Sequence, residues 1–162
     1  MFEKINHYGI QTETIASIGQ FAVLWGMVEE AFFEKCCITK KLGRLVVVKS
    51  TDAIAEYAES IKNNLISYYS GNEDIYDRLN LRSNDGYFSE KVRLFLQNDA
   101  ISVEDKTSAA VCICFRIRNN MFHGEKVFWL LDRQKPLIDS CSCFLNELLM
   151  ENALQIMEAQ EV

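Results

Sequence analysis

Residues that break regular structure are scarce in this 162-residue sequence, which contains one proline, Pro136, and seven glycines. Between them, apolar residues recur at three- and four-residue spacings, which is the period of an amphipathic helix. We find no internal repeat and no low-complexity linker. The sequence therefore predicts an all-α fold, a bundle of about five helices, formed by a single domain over residues 1–162.

The spacing of apolar and capping residues predicts where these helices lie. They are expected at about residues 14–40, 51–69, 89–97, 102–123 and 136–159. Thr51 or Asp52 suits the N-cap of the second helix, and Ser102 or Asp105 that of the fourth. Pro136 is expected in the first turn of the last helix, where its missing N–H removes no hydrogen bond.

The charge of the chain limits how it can meet nucleic acid. A net charge of −6 and a pI near 5.0 argue against coating nucleic acid through bulk positive charge. However, residues 115–135 contain five basic and two acidic side chains, a local net charge of +3, which leaves −9 for the rest. Positive charge is therefore concentrated in one segment.

The six cysteines all lie in apolar, helix-like segments, which predicts small core residues in a reducing compartment. A metal site built from the two Cys-x-Cys pairs is the alternative. Residues two apart point to different sides of a helix, and metal ligands are more often spaced Cys-x-x-Cys. We therefore expect no metal and no cofactor. The pairs are Cys112 with Cys114 and Cys141 with Cys143.

No targeting or membrane signal is visible in the sequence. Residues 1–7 alternate polar and apolar side chains and lack the apolar core of a signal peptide. No stretch reaches the roughly 18 uninterrupted apolar residues of a membrane span. We expect a cytoplasmic protein with no membrane partner.

The fourth predicted helix carries polar residues in an unusual arrangement. At about 100° per residue, Cys114, Phe115, Met121 and Phe122 share the core face with Val111. Arg116, Asn119, Asn120 and His123 fall on the opposite side, whereas Arg118 falls near the middle of the apolar face. A buried, unpaired charge is costly. Arg118 therefore snorkels to solvent, pairs with a carboxylate such as Glu29, or lines a groove or subunit interface.

His123 can be either an inert surface residue or a functional one. It is expected in the last turn of the helix, where the dipole favours the protonated ring. Asn119 precedes it by four residues, so the amide is placed to orient the imidazole. Both features favour a functional role.

The run Arg118-Asn119-Asn120-Met121-Phe122-His123, followed by Gly124-Glu125-Lys126, resembles the motif of the HEPN family. That motif is an arginine, four to six intervening residues and a histidine, often with a polar residue directly after the arginine. Asn119 fills the polar position. Arg118 leaves four residues before His123 and Arg116 leaves six, so Arg118 ranks first and Arg116 second.

The resemblance implies a helical bundle that acts as a metal-independent endoribonuclease, a toxin or phage-defence effector. HEPN proteins usually form homodimers in which two motifs face one cleft. Arg118 and His123 are then catalytic, with Asn119 and Arg116 beside them. The residues expected to bind RNA phosphates are Asn120, Lys126, Arg133 and Lys135. The implied partners are a second copy of the chain, an RNA substrate and a cognate antitoxin protein.

Two other readings stay open at this point. Some HEPN-like proteins are non-catalytic modules that bind nucleotides or act as adaptors, and the acidic net charge favours this slightly. Alternatively, Arg118 is a structural residue of a helical bundle. The tyrosine that some members carry two residues after the histidine is Glu125 here, so regulation by modification of that tyrosine is not expected.

Overall fold

The computed structural model describes residues 9–33, 49–69, 75, 79, 86–122 and 131–160. They form six helical segments and contain no β-strand, which confirms an all-α bundle of about five helices. The segments are α1 (Thr12–Phe33), α2 (Asp52–Tyr68), α3 (Gly86–Gln97), α4 (Val103–Phe122), α5 (Leu131–Glu151) and α6 (Ala153–Gln160).

The helix starts follow local capping chemistry. The Thr51 hydroxyl accepts a hydrogen bond from the backbone N–H of Ile54 at 3.3 Å, which confirms Thr51 as the N-cap of α2. The Ser102 hydroxyl accepts from the N–H of Asp105 at 3.1 Å, just before α4. Asp105 therefore lies in the first turn of α4, where its charge suits the helix dipole.

α5 occupies the centre of the bundle, because it packs against both α1 and α2. α4 packs against α2 and α3, and touches α5. Asp132 near the start of α5 accepts a hydrogen bond from the Thr14 hydroxyl near the start of α1. At the same end of α5, Gln134 donates to the Tyr68 hydroxyl at the end of α2, at 2.7 Å. Hence α1 runs parallel to α5, and α2 runs antiparallel to it.

The middle of α4, residues 107–114, is buried on every side. All eight residues from Thr107 to Cys114 are buried, including the polar Thr107 and Ser108. The Thr107 hydroxyl is satisfied by donating to the backbone carbonyl of Val103 at 2.8 Å. The helical wheel, which assigned residues between 111 and 123, did not indicate that neighbouring helices cover residues 107–114 on every side.

The start of α5 differs from the sequence-based expectation. The helix begins at Leu131, so Pro136 lies inside it and not in its first turn. Pro136 is exposed, whereas Leu131, Gln134, Leu137 and Ile138 are buried. The proline is therefore on the outer face of the helix, where water can bond the carbonyl that lost its N–H partner.

The length and apolarity of the helices also bear on membranes. Within the described ranges, none of the helices is both long and apolar enough to cross a bilayer.

Candidate functional site

The candidate site lies in the C-terminal half of α4, beside an aromatic cluster. The Trp25 ring of α1 lies 5.9 Å from the Phe115 ring of α4 and 6.4 Å from the Phe33 ring, between centroids. Trp25 and Phe33 are buried, and Phe115 is half-buried against the same core. Packing of this kind fixes the rotation of α4 about its axis at Phe115, and so fixes where the next residues of the helix point.

Arg118 and Asn119 are joined by a hydrogen bond. The Nη1 of Arg118 donates to the Oδ1 of Asn119 at 3.0 Å, and both side chains are half-buried. An amide oxygen in this position restricts the guanidinium without neutralising its charge. The polar residue after the arginine therefore orients the arginine in this structure. The expected contact between Asn119 and His123 stays a prediction.

Arg116 has a different environment. Its guanidinium carbon lies 5.7 Å from the centroid of the Phe115 ring, within the range of a cation–π interaction. Arg116 is also half-buried. The two candidate arginines therefore differ in their partners, since Arg118 contacts an amide and Arg116 an aromatic ring.

The expected phosphate-binding residues have varied surroundings. Arg133 is exposed on α5, and Asn120 is half-buried on α4. Lys135 donates to the Oδ2 of Asp139 at 2.6 Å, one helical turn further along α5. Sequence reasoning missed Asp139, although the four-residue spacing of a lysine and an aspartate on one helix indicates such a pair. Lys135 can therefore bind phosphate only in competition with Asp139.

Two of the predicted site residues lie outside the described residues. These two residues are His123 and Lys126. Gly124 and Glu125, which lie between them in the sequence, are also outside the described residues. Phe122 is the last described residue of α4, so the expected helix end near His123 stays a prediction.

Burial does not separate Arg118 from the other polar residues of α4. Arg116, Arg118, Asn119 and Asn120 are all half-buried. The helical wheel placed Arg118, unlike the other polar residues, on the apolar side of α4. A wheel with one apolar and one polar face does not describe this helix fully, because other helices pack against it on several sides. Phe115 and Met121 do pack against the core, as expected.

The cysteines behave as core residues with one exception. Cys112, Cys114 and Cys141 are buried, and burial, followed by a hydrogen bond with Cys141, raises the pKa of the Cys114 thiol. Cys143 is exposed, which corrects the expectation for that residue. In the part of the chain that the structure covers, no three His, Cys, Asp or Glu side chains cluster closely enough to hold a metal ion. Cys36 and Cys37 lie outside that part.

Comparison with known proteins returns no relative. No protein-family model matches the chain, no curated protein matches its sequence, and no solved structure matches its fold.

Proposed function

We propose that this chain is a HEPN-type, metal-independent endoribonuclease, a toxin or phage-defence effector, with Arg118 and His123 at a cleft shared by a homodimer. The observation that carries the proposal is the burial and hydrogen bonding of Arg118 in the last turns of α4. Its guanidinium is half-buried and held by Asn119, four residues before His123 in the run that resembles the HEPN motif. A guanidinium that binds phosphate oxygens and an imidazole that transfers a proton together suit a phosphodiester substrate.

The proposed reaction needs no metal. His123 accepts the proton of a ribose 2′-hydroxyl, and the 2′-oxygen attacks the adjacent phosphorus. A new bond forms between phosphorus and the 2′-oxygen, the bond to the 5′-oxygen breaks, and the departing 5′-oxygen takes a proton from water or from a second histidine. Arg118 stabilises the charge that develops on the phosphate oxygens. The products are a 2′,3′-cyclic phosphate and a 5′-hydroxyl.

A dimer resolves a geometric difficulty in this proposal. Residues five apart point about 140° away from each other on an ideal helix, so Arg118 and His123 of one chain would diverge if the helix continued to His123. If the arginine of one protomer faces the histidine of its partner, both can reach one phosphate. Arg116, Asn120, Lys126, Arg133 and Lys135 then supply contacts that position RNA without reading its sequence.

The test is cleavage of single-stranded RNA by purified protein in EDTA, with analysis of the product ends. We expect His123→Ala to lower the rate by about 10²-fold or more, and Arg118→Ala by about 10²–10³-fold. Arg93→Ala is the matched control, because Arg93 is an exposed arginine of α3 paired with Glu90. Circular dichroism establishes that each variant is folded. Equal cleavage by wild type and His123→Ala would exclude the proposal.

The shared cleft has its own test, which mixes the two inactive variants. In a heterodimer of Arg118→Ala with His123→Ala, one of the two Arg118–His123 pairs in the shared cleft keeps both wild-type residues if each pair is formed by two protomers. We therefore expect activity to return on mixing. If the wild type is active and the mixture is not, each protomer holds a complete site.

A second candidate function is a non-catalytic module that binds a nucleotide or another protein. It is favoured by the net charge of −6 and by the engagement of Lys135 with Asp139. Protein that binds a nucleotide in titration calorimetry, but leaves RNA intact under all conditions, would support this candidate.

A further inference from the structure

One arginine in the described part of the chain differs from most of its other cations, because no carboxylate neutralises it. Six lysines and arginines form ion pairs with aspartate or glutamate at 2.5–3.2 Å, and these are Lys49, Lys62, Lys91, Arg93, Lys106 and Lys135. Arg133 is exposed, and within the described ranges no carboxylate, amide or aromatic ring contacts its side chain. Its positive charge is therefore open to an anionic ligand.

The acidic neighbour of Arg133 is engaged elsewhere. The Asp132 carboxylate accepts a hydrogen bond from the backbone N–H of Gln11 at 3.2 Å and another from the buried Thr14 hydroxyl, both at the start of α1. The positive end of the α1 dipole also favours a carboxylate at this place. Adjacent residues of a helix point about 100° apart, so Asp132 holds α1 while Arg133 faces solvent.

The residue on the other side of Arg133 is anchored as well. Gln134 is 6% exposed, and its amide donates to the Tyr68 hydroxyl at the end of α2, at 2.7 Å. The backbone that carries Arg133 is therefore held by α1 through Asp132 and by α2 through Gln134. A cation on an anchored backbone loses less freedom when it binds an anion than one on a loose segment does.

The position of Arg133 in α5 also favours an anion. It lies in the first turn, where the positive end of the helix dipole disfavours a cation and attracts negative charge. The charge of Arg133 therefore does not stabilise its own helix. An anion bound there would meet both the guanidinium and the dipole.

The start of α5 lies at the same end of the bundle as the candidate site. Cys114 of α4 and Cys141 of α5 are hydrogen-bonded to each other, each about two to three turns from the connection between the helices. Only eight residues, 123–130, form that connection. A short connection between two helices in contact is typical of an antiparallel pair. The last turns of α4, with Arg118, and the first turn of α5, with Arg133, are therefore close along the bundle axis.

We propose that Arg133 binds a phosphate of single-stranded RNA beside the phosphate that is cut, and that Asp132 and Gln134 position it. This inference rests on the proposed ribonuclease function. Arg133 can give an RNA phosphate both arms of its guanidinium without first leaving a carboxylate. Lys135 must leave Asp139 to do the same. Arg133 therefore contributes more to RNA affinity than Lys135 does.

The test measures binding of a labelled single-stranded RNA by fluorescence anisotropy, with the full chain carrying His123→Ala so that the RNA stays intact. We expect Arg133→Gln to weaken binding about tenfold, and to reduce the slope of log affinity against log salt by about 0.7 for each Arg133 that the strand contacts. Lys135→Gln should weaken binding by about threefold or less, because its charge is already paired. Arg93→Gln, which removes an exposed arginine paired with Glu90, is the matched control and should bind as the parent does.

The positioning role has a test in which charge alone predicts the opposite result. Asp132→Ala removes a negative charge beside Arg133, so charge alone would strengthen RNA binding. Loss of the anchor should instead weaken it, and with His123 intact should raise KM for RNA while leaving kcat nearly unchanged. Thr14→Val, at a buried residue that cannot touch RNA, should act in the same direction, whereas Thr14→Ser keeps the hydroxyl and should bind normally. If Asp132→Ala does not fold, the two Thr14 variants decide the question.

Unchanged RNA affinity in Arg133→Gln, or equal losses in Arg133→Gln and Lys135→Gln, would overturn the role of Arg133. Tighter binding by Asp132→Ala, or equal binding by Thr14→Val and Thr14→Ser, would overturn the positioning role. These failures differ from a failure of the proposed function. Protein that binds RNA through Arg133 but never cuts it refutes only the nuclease, and wild-type protein that binds no RNA refutes both.

Discussion

Asn152 shows how one polar side chain can connect distant parts of this fold. It lies between α5 and α6 and is 1% exposed. Its Oδ1 accepts from the backbone N–H of Lys49 at 2.8 Å, and its Nδ2 donates to the carbonyls of Lys49 at 3.2 Å and Leu148 at 2.8 Å. These bonds tie the chain just before α2 to the end of α5.

Replacing Asn152 with alanine should therefore lower stability substantially. The substitution removes three hydrogen bonds, two of them to the backbone of the exposed residue Lys49, and each such bond contributes about 0.5–1.5 kcal/mol. We expect Asn152→Ala to lower the free energy of unfolding by about 2–4 kcal/mol in urea denaturation. Asn146→Ala, at an exposed position of α5, should change it by less than about 0.5 kcal/mol. Equal losses in the two variants would contradict the role of Asn152.

Sequence reasoning could not find this role for Asn152, which it placed inside one helix over residues 136–159. The partner residue, Lys49, is 103 positions away, and no local pattern links the two. By contrast, Arg118 and Asn119 are adjacent in the sequence, but the helical spacing paired Asn119 with His123 and did not predict its hydrogen bond with Arg118. The position of His123 relative to Arg118 depends on the end of α4 and stays a prediction.

At the scale of the helix, apolar spacing and capping residues predicted where each helix lies better than they predicted which residues surround it. Thr51 and Ser102 were identified as caps because N-capping depends on a hydroxyl and a nearby N–H alone. The start of α5 was placed too late because proline was treated as a helix start. A helix tolerates Pro136 inside it, since that residue faces outward. For α4, the spacing correctly placed Val111, Cys114 and Met121 towards the core, but a single-helix pattern did not show that neighbouring helices cover residues 107–114 on every side.

An ion pair between α3 and α4 makes the free energy of unfolding depend on pH in the acid range. The Nζ of Lys91 in α3 lies 2.7 Å from the Oδ1 of Asp105 in α4, and this hydrogen bond holds the pKa of Asp105 below its ordinary value of 3.8. Because the folded-state pKa is depressed, the unfolded chain binds the proton more readily. The stabilisation from Asp105 is therefore fully present above about pH 4 and is lost as pH falls through the folded-state pKa.

We expect Asp105→Asn to flatten this acid dependence. Below about pH 4 the unfolding free energy of the variant should fall less steeply than that of the wild type. At pH 7 the variant should be less stable by about 1 kcal/mol or less, because Asp105 is partly exposed and solvent screens the pair. Lys91→Met removes the same hydrogen bond from the other side and should give the same slope. Urea denaturation at several pH values measures it, and three parallel curves would refute the assignment.

At the scale of the whole molecule, one apolar cluster joins the helices. It contains Phe21 and Trp25 of α1, Ile61 of α2, Phe95 of α3, Ile113 of α4 and Leu145 of α5. A continuous core of this kind predicts that α1 to α5 unfold together. The composition of the cluster follows from the helical spacing of apolar residues, but which helices adjoin depends on contacts that the sequence does not display.

Cooperative unfolding can be tested with two spectroscopic signals that report on different parts of the molecule. In a Trp129→Phe background, tryptophan fluorescence reports on Trp25, whereas circular dichroism at 222 nm reports on all helices. We expect both to give one urea transition with the same midpoint. Ile113→Ala should lower the unfolding free energy by about 2–5 kcal/mol in both signals, because it opens a cavity in the core. Midpoints that differ between the two probes would indicate more than one folding unit.

The central place of α5 has a consequence during synthesis on the ribosome. α1 and α2 emerge first, but the helix that both of them pack against begins only at Leu131. Until translation passes that point, the faces that α1 and α2 later bury against α5 stay open to water. Nascent chains of this protein should therefore depend on chaperones that shield apolar surface more than chains whose helices pair in the order of translation.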